Sequence, residues 1–499
     1  MPFENYRGLS AANGFLLFAR GGAFYYGRES DRESELHAYD LAERKEHTFP
    51  GTIGGWALSD DGKFLLLRDG RSFARTEVGS PGKEKKTVST AGLTMDRVPA
   101  QEWAQVYDEV WRRYRDFFYV ENMHGHDWKA LGDQYRPLVA QVAHRSDLNY
   151  VIGELIAELN VGHAYIAGGD YEQPARVSVA LPGARFALDA AAGRYRIARI
   201  FRGQNDQPEF RSPLTEVGVD AKEGDYVLAI DGVELTAGDD PYRLLRGKAG
   251  GMVRFTLNAA PTREGAREVS FRPLTSETSL IYYAWIEKNR RWVEEQSGGR
   301  FGYLHVPDMG EEGIAAFTRM FYGQIRKEGL VIDVRNNGGG NVSQMLIERL
   351  RRELLMGEFG RTSGFDTYPN NCFHGSLVCL LNENSASDGD IFPAMFRAAK
   401  LGPLIGKRSW GGIIGITDRG PLQDGGTVNV PEFGNSGGVD QGWVIEGHGV
   451  DPDIVVENDP ASVIAGRDLQ LEKGLQVLTQ RVAENPKKLP QRPADPIRR

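Results

Sequence analysis

The sequence predicts a multidomain α+β protein in which β-hairpins are followed by helices, then by a strand-rich segment, and finally by alternating strands and helices. The chain has 499 residues, and a prior of about 150 residues per domain gives roughly three to four domains. Apolar residues recur at every second position in some stretches and at every third or fourth in others. Because each pattern fills its own stretch, we expect separate domains rather than one core.

Composition and charge narrow the function classes. With 40% hydrophobic residues, 26% charged residues and a net charge of -8, the chain has an ordinary globular composition and gives no electrostatic reason to expect nucleic acid or a membrane as partner. No window approaches the ~18 apolar residues of a membrane span, and the start, MPFENYRGLS, lacks the pattern of a signal peptide. Cys372 and Cys379 are the only cysteines, which excludes a disulfide framework. A cytoplasmic location is therefore expected.

Residues 1–95 contain a repeat. GLSAANGFLLFARGGAFYYG, from Gly8, is echoed by ALSDDGKFLLLRDGRSFARTEV, from Ala57. Turn residues between apolar runs are typical of β-hairpins. The two units are similar to propeller blades, but a propeller normally has at least four. We therefore expect a partial β-propeller remnant, either truncated or the end of a larger array.

Residues 96–170 are expected to form a helical domain. Apolar side chains from Trp103 to Phe118 recur at three- and four-residue steps, which predicts a helix. Asp147 is predicted to cap a further helix that runs through Leu159. The segment ends in NVGHAY, which contains His163.

Residues 171–278 are strand-rich. Within them, SPLTEVGVDAKEGDYVLAIDGVEL (212–235) resembles the PDZ-domain pattern, and a PDZ-like module binds an extended peptide as an added strand. The alternative is another small β-domain with tight turns.

Residues 279–460 alternate between the two patterns. The apolar runs FGYLHVP, GLVIDV and SLVCLL each precede a predicted helix, with two of these helices expected at 311–325 and 344–355. This alternation predicts a layered βα domain. Residues 461–499 are expected to form a C-terminal helix and a tail.

The strand SLVCLL runs into NENSASDGDIFP, where Ser385 or Ser387 lies at a strand-to-helix turn. Unpaired N–H groups at a helix N-terminus favour negative charge, which suits a nucleophile. The alternative is that Ser and Asp only cap the helix.

Four other motifs contain candidate residues. RNNGGGNVS could form an oxyanion hole or a simple turn. His163 could be a base or a structural histidine, and Glu446, in VIEGHG, could orient it. His124 and His126 could suggest a metal, but no third ligand is in view, so a polar turn is favoured.

Together these motifs resemble the tricorn protease family, the cytosolic branch of the tail-specific, or carboxy-terminal processing, serine peptidases. The resemblance covers residues from about 97 to 484. The matching stretches are ELNVGHAY, the PDZ-like segment, VIDVRNNGGGNVSQ, NENSASDGDIFP, KRSWGGIIGITDRGPLQDGGTV and EGHGVDPDI. It implies a catalytic domain of the tail-specific protease or crotonase-like type, peptide substrates, no cofactor, and a homo-oligomer, specifically a hexamer.

The resemblance also assigns roles. It makes Ser387, rather than Ser385, the nucleophile and His163 the general base. Glu446 falls on the carboxylate that supports the histidine. The oxyanion hole falls on the backbone N–H groups of Gly340 and Asp388. Glu358, in MGEFG, aligns with an acidic residue that favours basic side chains before the cut.

One departure from the family pattern concerns the site itself. The family has a serine directly before the histidine, and its hydroxyl relays between the histidine and the glutamate; this chain has Gly162 at that position. Either water fills the gap, Glu446 reaches the imidazole directly, or the site is impaired. The sequence thus predicts a serine peptidase acting on short or unfolded peptides through an acyl-enzyme. The alternatives are an impaired peptide-binding scaffold and, on a related layered fold, acyl-CoA chemistry.

Overall fold

Among the residues that the structure describes, the first part of the chain forms two antiparallel sheets of four strands each. A computed structural model describes residues 5–22, 34–51, 53–80, 85–362, 364–437 and 442–498. The second strand predicted for the first repeat, at 23–27, lies outside these residues. The first sheet contains β1 to β4 in order, and the second contains β5 to β8 in order. The strands are β1 Asn5–Ala12, β2 Phe15–Gly21, β3 Glu35–Asp40, β4 Lys45–Thr48, β5 Gly55–Leu58, β6 Phe64–Asp69, β7 Ser72–Glu77 and β8 Lys86–Val88.

The helical segment contains three helices and one short strand. They are α1 Pro99–Phe117, α2 Trp128–Val139, α3 Arg145–Ala157 and β9 Tyr165–Ala167. The prediction that Asp147 caps α3 is wrong by one turn. His144 is the N-cap, and the Asp147 carboxylate accepts from the His144 N–H in a capping box. Asp147 therefore stabilises the same helix end from inside the first turn.

The strand-rich segment forms one sheet in the order β10-β11-β12-β14-β15, with β13 paired to β12. Its strands are β10 Ala184–Asp189, β11 Arg194–Ile200, β12 Tyr226–Ile230, β13 Val233–Glu234, β14 Val253–Asn258 and β15 Arg267–Phe271. The module has its own core, centred on Phe255 and Phe271. It is inserted in the chain between β9 and the last domain.

The last domain is built on a parallel sheet in the order β16-β17-β20-β21-β24. Helix α5 ends at Phe321 and continues as a 3-10 turn, and α6 ends at Leu350, so both α-helices are shorter than predicted. The elements are α4 Thr278–Gln296, β16 Phe301–His305, α5 Glu311–Phe321, β17 Gly329–Asp333, α6 Ser343–Leu350, β18 Met356–Phe359, β19 Phe365–Tyr368, β20 Ser376–Leu381, α7 Asp388–Ala398, β21 Leu404–Gly406, β22 Gly415–Asp418, β23 Thr427–Phe433, β24 Ile454–Val455, α8 Pro460–Ile464 and α9 Leu469–Glu484.

Alternate residues of the parallel strands fill two different cores. In β17, Leu330 and Ile332 pack among side chains of α5, α6 and α7, whereas Val331 packs towards α4 and α9. Since successive strand residues point to opposite faces, the sheet is buried on both sides, as a parallel sheet requires. The helix at 469–484 thus completes one of the two faces.

A third sheet joins the helical segment to the last domain. Strand β9 pairs antiparallel with β23, and Tyr165 lies opposite Asn429. Strand β22 flanks β23 on the other side. Since β9 begins two residues after His163, this pairing carries His163 across to the domain that contains Ser387. Across the described ranges, every helix is too short or too polar to cross a bilayer.

Candidate active site

Ser387 lies at the turn between β20 and α7, with φ 57° and ψ -122°. A non-glycine residue rarely adopts this region of backbone space, and a strained serine between a strand and a helix is the arrangement of a nucleophile elbow. The Ser387 side chain makes no capping hydrogen bond. Ser385, in contrast, is fully buried, and its hydroxyl donates to the Val334 carbonyl at 2.8 Å. Of the two serines, only Ser387 has a free hydroxyl within the described part of the chain.

The glycine-rich loop after β17 lies directly against this turn. A Cβ at Gly339 would be 2.5 Å from the Ser387 Cβ, and one at Gly340, where φ is +149°, would be 2.0 Å from the Met309 carbonyl oxygen. Only glycine lets the backbone approach this closely. Among the described residues, no acceptor pairs with the backbone N–H of Gly340 or of Asp388. Two free donors beside a serine can stabilise an oxyanion.

Asn337 joins the glycine-rich loop to the serine turn. Its side-chain oxygen accepts from the Gly339 N–H at 2.9 Å, and its side-chain amide donates to the Val306 carbonyl at 2.9 Å. Its backbone carbonyl accepts from the Ala386 N–H at 2.8 Å. Asn337 is fully buried, so these bonds hold the two loops rigidly together.

The two acids after Ser387 turn away from its hydroxyl. The Asp388 carboxylate accepts from the backbone N–H of Ser343, at 2.9 Å, and from its hydroxyl, and so ties the start of α6 to the start of α7. The Asp390 carboxylate accepts from the Gly411 N–H at 2.8 Å. Burial raises the pKa of Asp388 and raises that of Asp390 to about 6. Both acids therefore act as structural anchors of the turn.

His163 is buried, with 7% of its surface exposed. Its Nδ1 lies 2.8 Å from the carbonyl oxygen of Ile414, which fixes Nδ1 as the protonated nitrogen and leaves Nε2 as the basic one. The ring packs edge-on against the Trp410 indole, with 5.3 Å between centroids, and the backbone N–H of Trp410 donates to the Ser385 carbonyl at 3.0 Å. The loop at 408–414 thus touches both His163 and the serine turn.

No hydrogen bond joins the Ser387 hydroxyl to the His163 ring among the described residues. Catalytic hydrogen bonds are often long in the absence of substrate. The structure therefore brings the Ser387 turn, its neighbouring N–H donors and the His163 imidazole together around the loop at 408–414.

Glu446 binds main-chain N–H groups rather than the imidazole. Its Oε1 accepts from the Gly162 N–H at 2.9 Å, and its Oε2 accepts from the N–H groups of Ile413 at 2.7 Å and Ile414 at 3.0 Å. Ile414 is also the residue whose carbonyl meets His163. Glu446 is therefore connected to the histidine through the backbone.

Two other sequence candidates lie away from these groups. Glu358 is exposed on β18, opposite Asp366 of β19, and no described contact joins it to Ser387 or His163. Both ring nitrogens of His124 are in hydrogen bonds, to Tyr119 and to the Leu159 carbonyl, as expected for a polar turn. No group of three or more possible metal ligands occurs within the described ranges.

Sequence reasoning missed three residues that shape this site, namely Asn337, Asp390 and Trp410. All three lie in quoted motifs, but each acts through backbone contacts or ring packing, which a residue type does not reveal. Three consecutive glycines after an asparagine were the one available signal for Asn337.

The fold and the arrangement of the candidate site are similar to those of serine peptidases, and comparison with known families agrees. Residues 300–456 match the model of peptidase family S41, residues 99–157 match the tricorn protease C1 domain, and residues 181–276 match the tricorn protease PDZ domain. The matches follow the same order as the helical, strand-rich and layered segments.

The chain belongs to the tricorn protease family. It is 37% identical over 471 residues to tricorn protease homolog 1 of Streptomyces coelicolor, covering 93% of this chain and 44% of that protein. It is 33% identical over 472 residues to the tricorn protease of Thermoplasma acidophilum, covering 95% of this chain and 43% of that protein. A crystal structure of the tricorn protease superposes with a TM-score of 0.87 at 31% identity, over 96% of this chain and 47% of that one. The chain thus spans less than half the length of these relatives.

Proposed function

We propose that this chain is a serine peptidase that cleaves short or unfolded peptides through an acyl-enzyme. The observation that carries the proposal is the serine turn, where Ser387 precedes the free N–H of Asp388 at the start of α7 and lies against the glycine-rich loop that carries the free N–H of Gly340. Because the Ser387 side chain does not cap α7, capping does not explain its strained backbone. A position at a helix N-terminus does suit a nucleophile that must become anionic.

In the proposed reaction, the Ser387 hydroxyl attacks the scissile carbonyl while His163 Nε2 takes its proton. The Gly340 and Asp388 N–H groups receive the oxyanion, and each such donor stabilises the transition state by roughly 3–4 kcal/mol in comparable hydrolases. His163 then gives the proton to the leaving amine. The same ring activates a water molecule that hydrolyses the acyl ester.

The PDZ-like module gives the proposed substrate a docking place. A peptide that adds as a strand to a sheet edge is held by backbone hydrogen bonds, so it must be extended. We propose that the C-terminal side of the substrate docks near this module. Folded proteins are therefore poor substrates.

A fluorophosphonate probe tests the nucleophile. We expect labelling of the wild type, none of Ser387→Ala, and labelling of Ser385→Ala in proportion to its folded fraction. Ser385→Ala is the matched control, because it removes a buried structural hydroxyl two residues away. Equal labelling of wild type and Ser387→Ala contradicts the peptidase and favours the peptide-binding scaffold.

We also propose that Glu358 favours basic side chains before the cut. Its partner in the β18–β19 ladder, Asp366, is engaged by Arg326 at 3.0 Å, whereas Glu358 has no ion pair among the described residues. In a panel of fluorogenic peptides, Glu358→Gln should lower the ratio of kcat/KM for lysine over leucine. The control Asp366→Asn should leave that ratio unchanged, and an unchanged ratio in Glu358→Gln rejects the role.

The domain boundaries, location and assembly are further proposals. We propose boundaries near residues 95, 170, 278 and 460, and the three family matches fall within the middle segments. We propose a cytoplasmic location, supported by two buried and unpaired cysteines. We propose a homo-oligomer, a hexamer by family resemblance, which sedimentation of the purified protein tests. A monomer at micromolar concentration rejects it.

A further inference from the structure

Trp410 occupies the space beside Gly162. A Cβ built on Gly162 would lie 3.0 Å from the far edge of the Trp410 ring and 3.0 Å from the Gly412 Cα. These separations are tighter than ordinary carbon contacts of about 3.5–4.0 Å, and a serine would add its hydroxyl beyond the Cβ. A side chain at position 162 therefore requires the indole or the 410–412 backbone to move.

The same indole contacts the imidazole. The Trp410 and His163 rings meet edge-on with centroids 5.3 Å apart. The Tyr165 ring also meets the His163 ring edge-on, with 6.0 Å between centroids. Such edge-on ring pairs stabilise each other's orientation beyond the effect of the area they bury. Moving the indole therefore also loosens His163.

Glu446 completes this arrangement without touching the imidazole. Its Oε1 accepts from the N–H of Gly162, in the turn before β9, and its Oε2 accepts from the N–H groups of Ile413 and Ile414, just before β22. The Ile414 carbonyl then accepts from His163 Nδ1–H. The Glu446 carboxylate therefore positions the Ile414 residue, whose carbonyl in turn orients the His163 ring.

We propose that Trp410 is a positioning residue for His163, and that Trp410 with Gly162 replaces a hydroxyl relay by a main-chain one running from Glu446 to the Ile414 carbonyl. This inference rests on the proposed peptidase function. It explains how the chain keeps an oriented imidazole with glycine at position 162. The Trp410 indole thus fills the space that a side chain at position 162 needs, so a larger residue at position 162 requires a smaller one at position 410.

A double-mutant cycle tests the coupling. Gly162→Ser should lower kcat by about tenfold or more with little change in KM, because small misplacement of a base costs chemistry before binding. In the Trp410→Leu background the same serine should cost far less, since leucine leaves room for it. Trp443→Leu is the control, since Trp443 is another exposed indole, packed on Tyr119 at 5.3 Å, and should not relieve the serine.

A second readout separates this inference from the peptidase proposal. The Nδ1–H resonance of His163, followed by histidine ¹⁵N NMR, should shift in Gly162→Ser and return in Gly162→Ser/Trp410→Leu, whether or not the protein turns over substrate. If turnover that depends on Ser387 is absent while this NMR coupling is intact, the peptidase proposal is rejected and the positioning role of Trp410 stands. Additive effects of the two substitutions, or a gain in kcat from Gly162→Ser, overturn the positioning role.

Discussion

Ser387 has a backbone conformation that residues with a side chain rarely adopt. A non-glycine residue at φ 57° and ψ -122° stores on the order of 1–3 kcal/mol, and such strain persists only where the surroundings determine the conformation. Here the Asn337 bonds, the buried Ser385 hydroxyl and the two acid anchors do so. The strain holds the hydroxyl up beside the two free N–H donors.

Asp390 gives this anchoring a pH dependence. Burial raises its pKa to about 6 in the folded protein, from 3.8. Between these values only the unfolded chain loses the proton, so the stability that Asp390 contributes is complete below about pH 4 and is lost as pH rises through 6. Asp390→Asn cannot ionise and keeps an oxygen for the Gly411 N–H. We expect the free energy of unfolding of Asp390→Asn, relative to wild type, to rise by about 2 kcal/mol from pH 4 to pH 7.

Chemical denaturation of both proteins at several pH values measures this difference. If the wild-type and Asp390→Asn curves run parallel from pH 4 to pH 7, the carboxyl is not protonated in the folded site and its anchoring role is misassigned.

At this scale the sequence predicted residue types better than contacts. The motif NENSASDGD indicated a serine at a helix start, but the choice between Ser385 and Ser387 came from family resemblance alone. The structure separates them by the Val334 bond of Ser385. The contacts of Glu446 could not be foreseen, because backbone N–H groups are common to all residues and leave no trace in a motif.

Among the elements, the β9–β23 pair decides where His163 stands. A buried ion pair supports this junction: Arg145, at the start of α3, binds Asp424, in the loop before β23, and their side chains are 2% and 3% exposed. Tyr114 of α1 donates to the Asn429 carbonyl in β23 at 2.9 Å. The helical segment is therefore fastened to β23 and to the loop before it, in addition to the pairing of β9 with β23.

Removing one partner of the Arg145–Asp424 pair should unfasten this junction. Asp424→Leu leaves a buried, uncompensated guanidinium, and we expect a loss of about 3–5 kcal/mol in the free energy of unfolding. The double variant Arg145→Met/Asp424→Leu should recover most of that loss, because an apolar pair needs no charge compensation. Urea denaturation of the three variants and wild type measures the coupling, and equal losses for the single and double variants would contradict it.

The long elements were predictable and this junction was not. Helix α1 and the parallel strands carry strong periodicity, and the structure confirms them. Strand β9 has three residues, too few for a period to show, and its partner lies more than 250 positions later. Pairing over such a separation depends on the packing of the domains between, which local patterns do not encode.

On the scale of the whole molecule, the inserted module lies in sequence between the two segments of the proposed site, and the 408–414 loop contacts both segments. The PDZ-like strands occupy 184–271, between His163 and Ser387, while β9 and the 408–414 loop bring the imidazole back to the serine turn. Two four-stranded sheets precede this unit among the described residues, and the pairing of β6 with β7 confirms the hairpin predicted for the second repeat. A site built from both sides of an insert exists only when the whole chain is folded.

A peptidyl chloromethyl ketone tests this convergence most directly, because its carbonyl must engage a serine while its methylene alkylates an imidazole within reach. We expect mass spectrometry to find His163 alkylated in the folded wild type, with the modification lost or strongly slowed in Ser387→Ala and absent after denaturation. Alkylation of His163 at the same rate in both folded proteins, or of other histidines instead, would contradict a joint site.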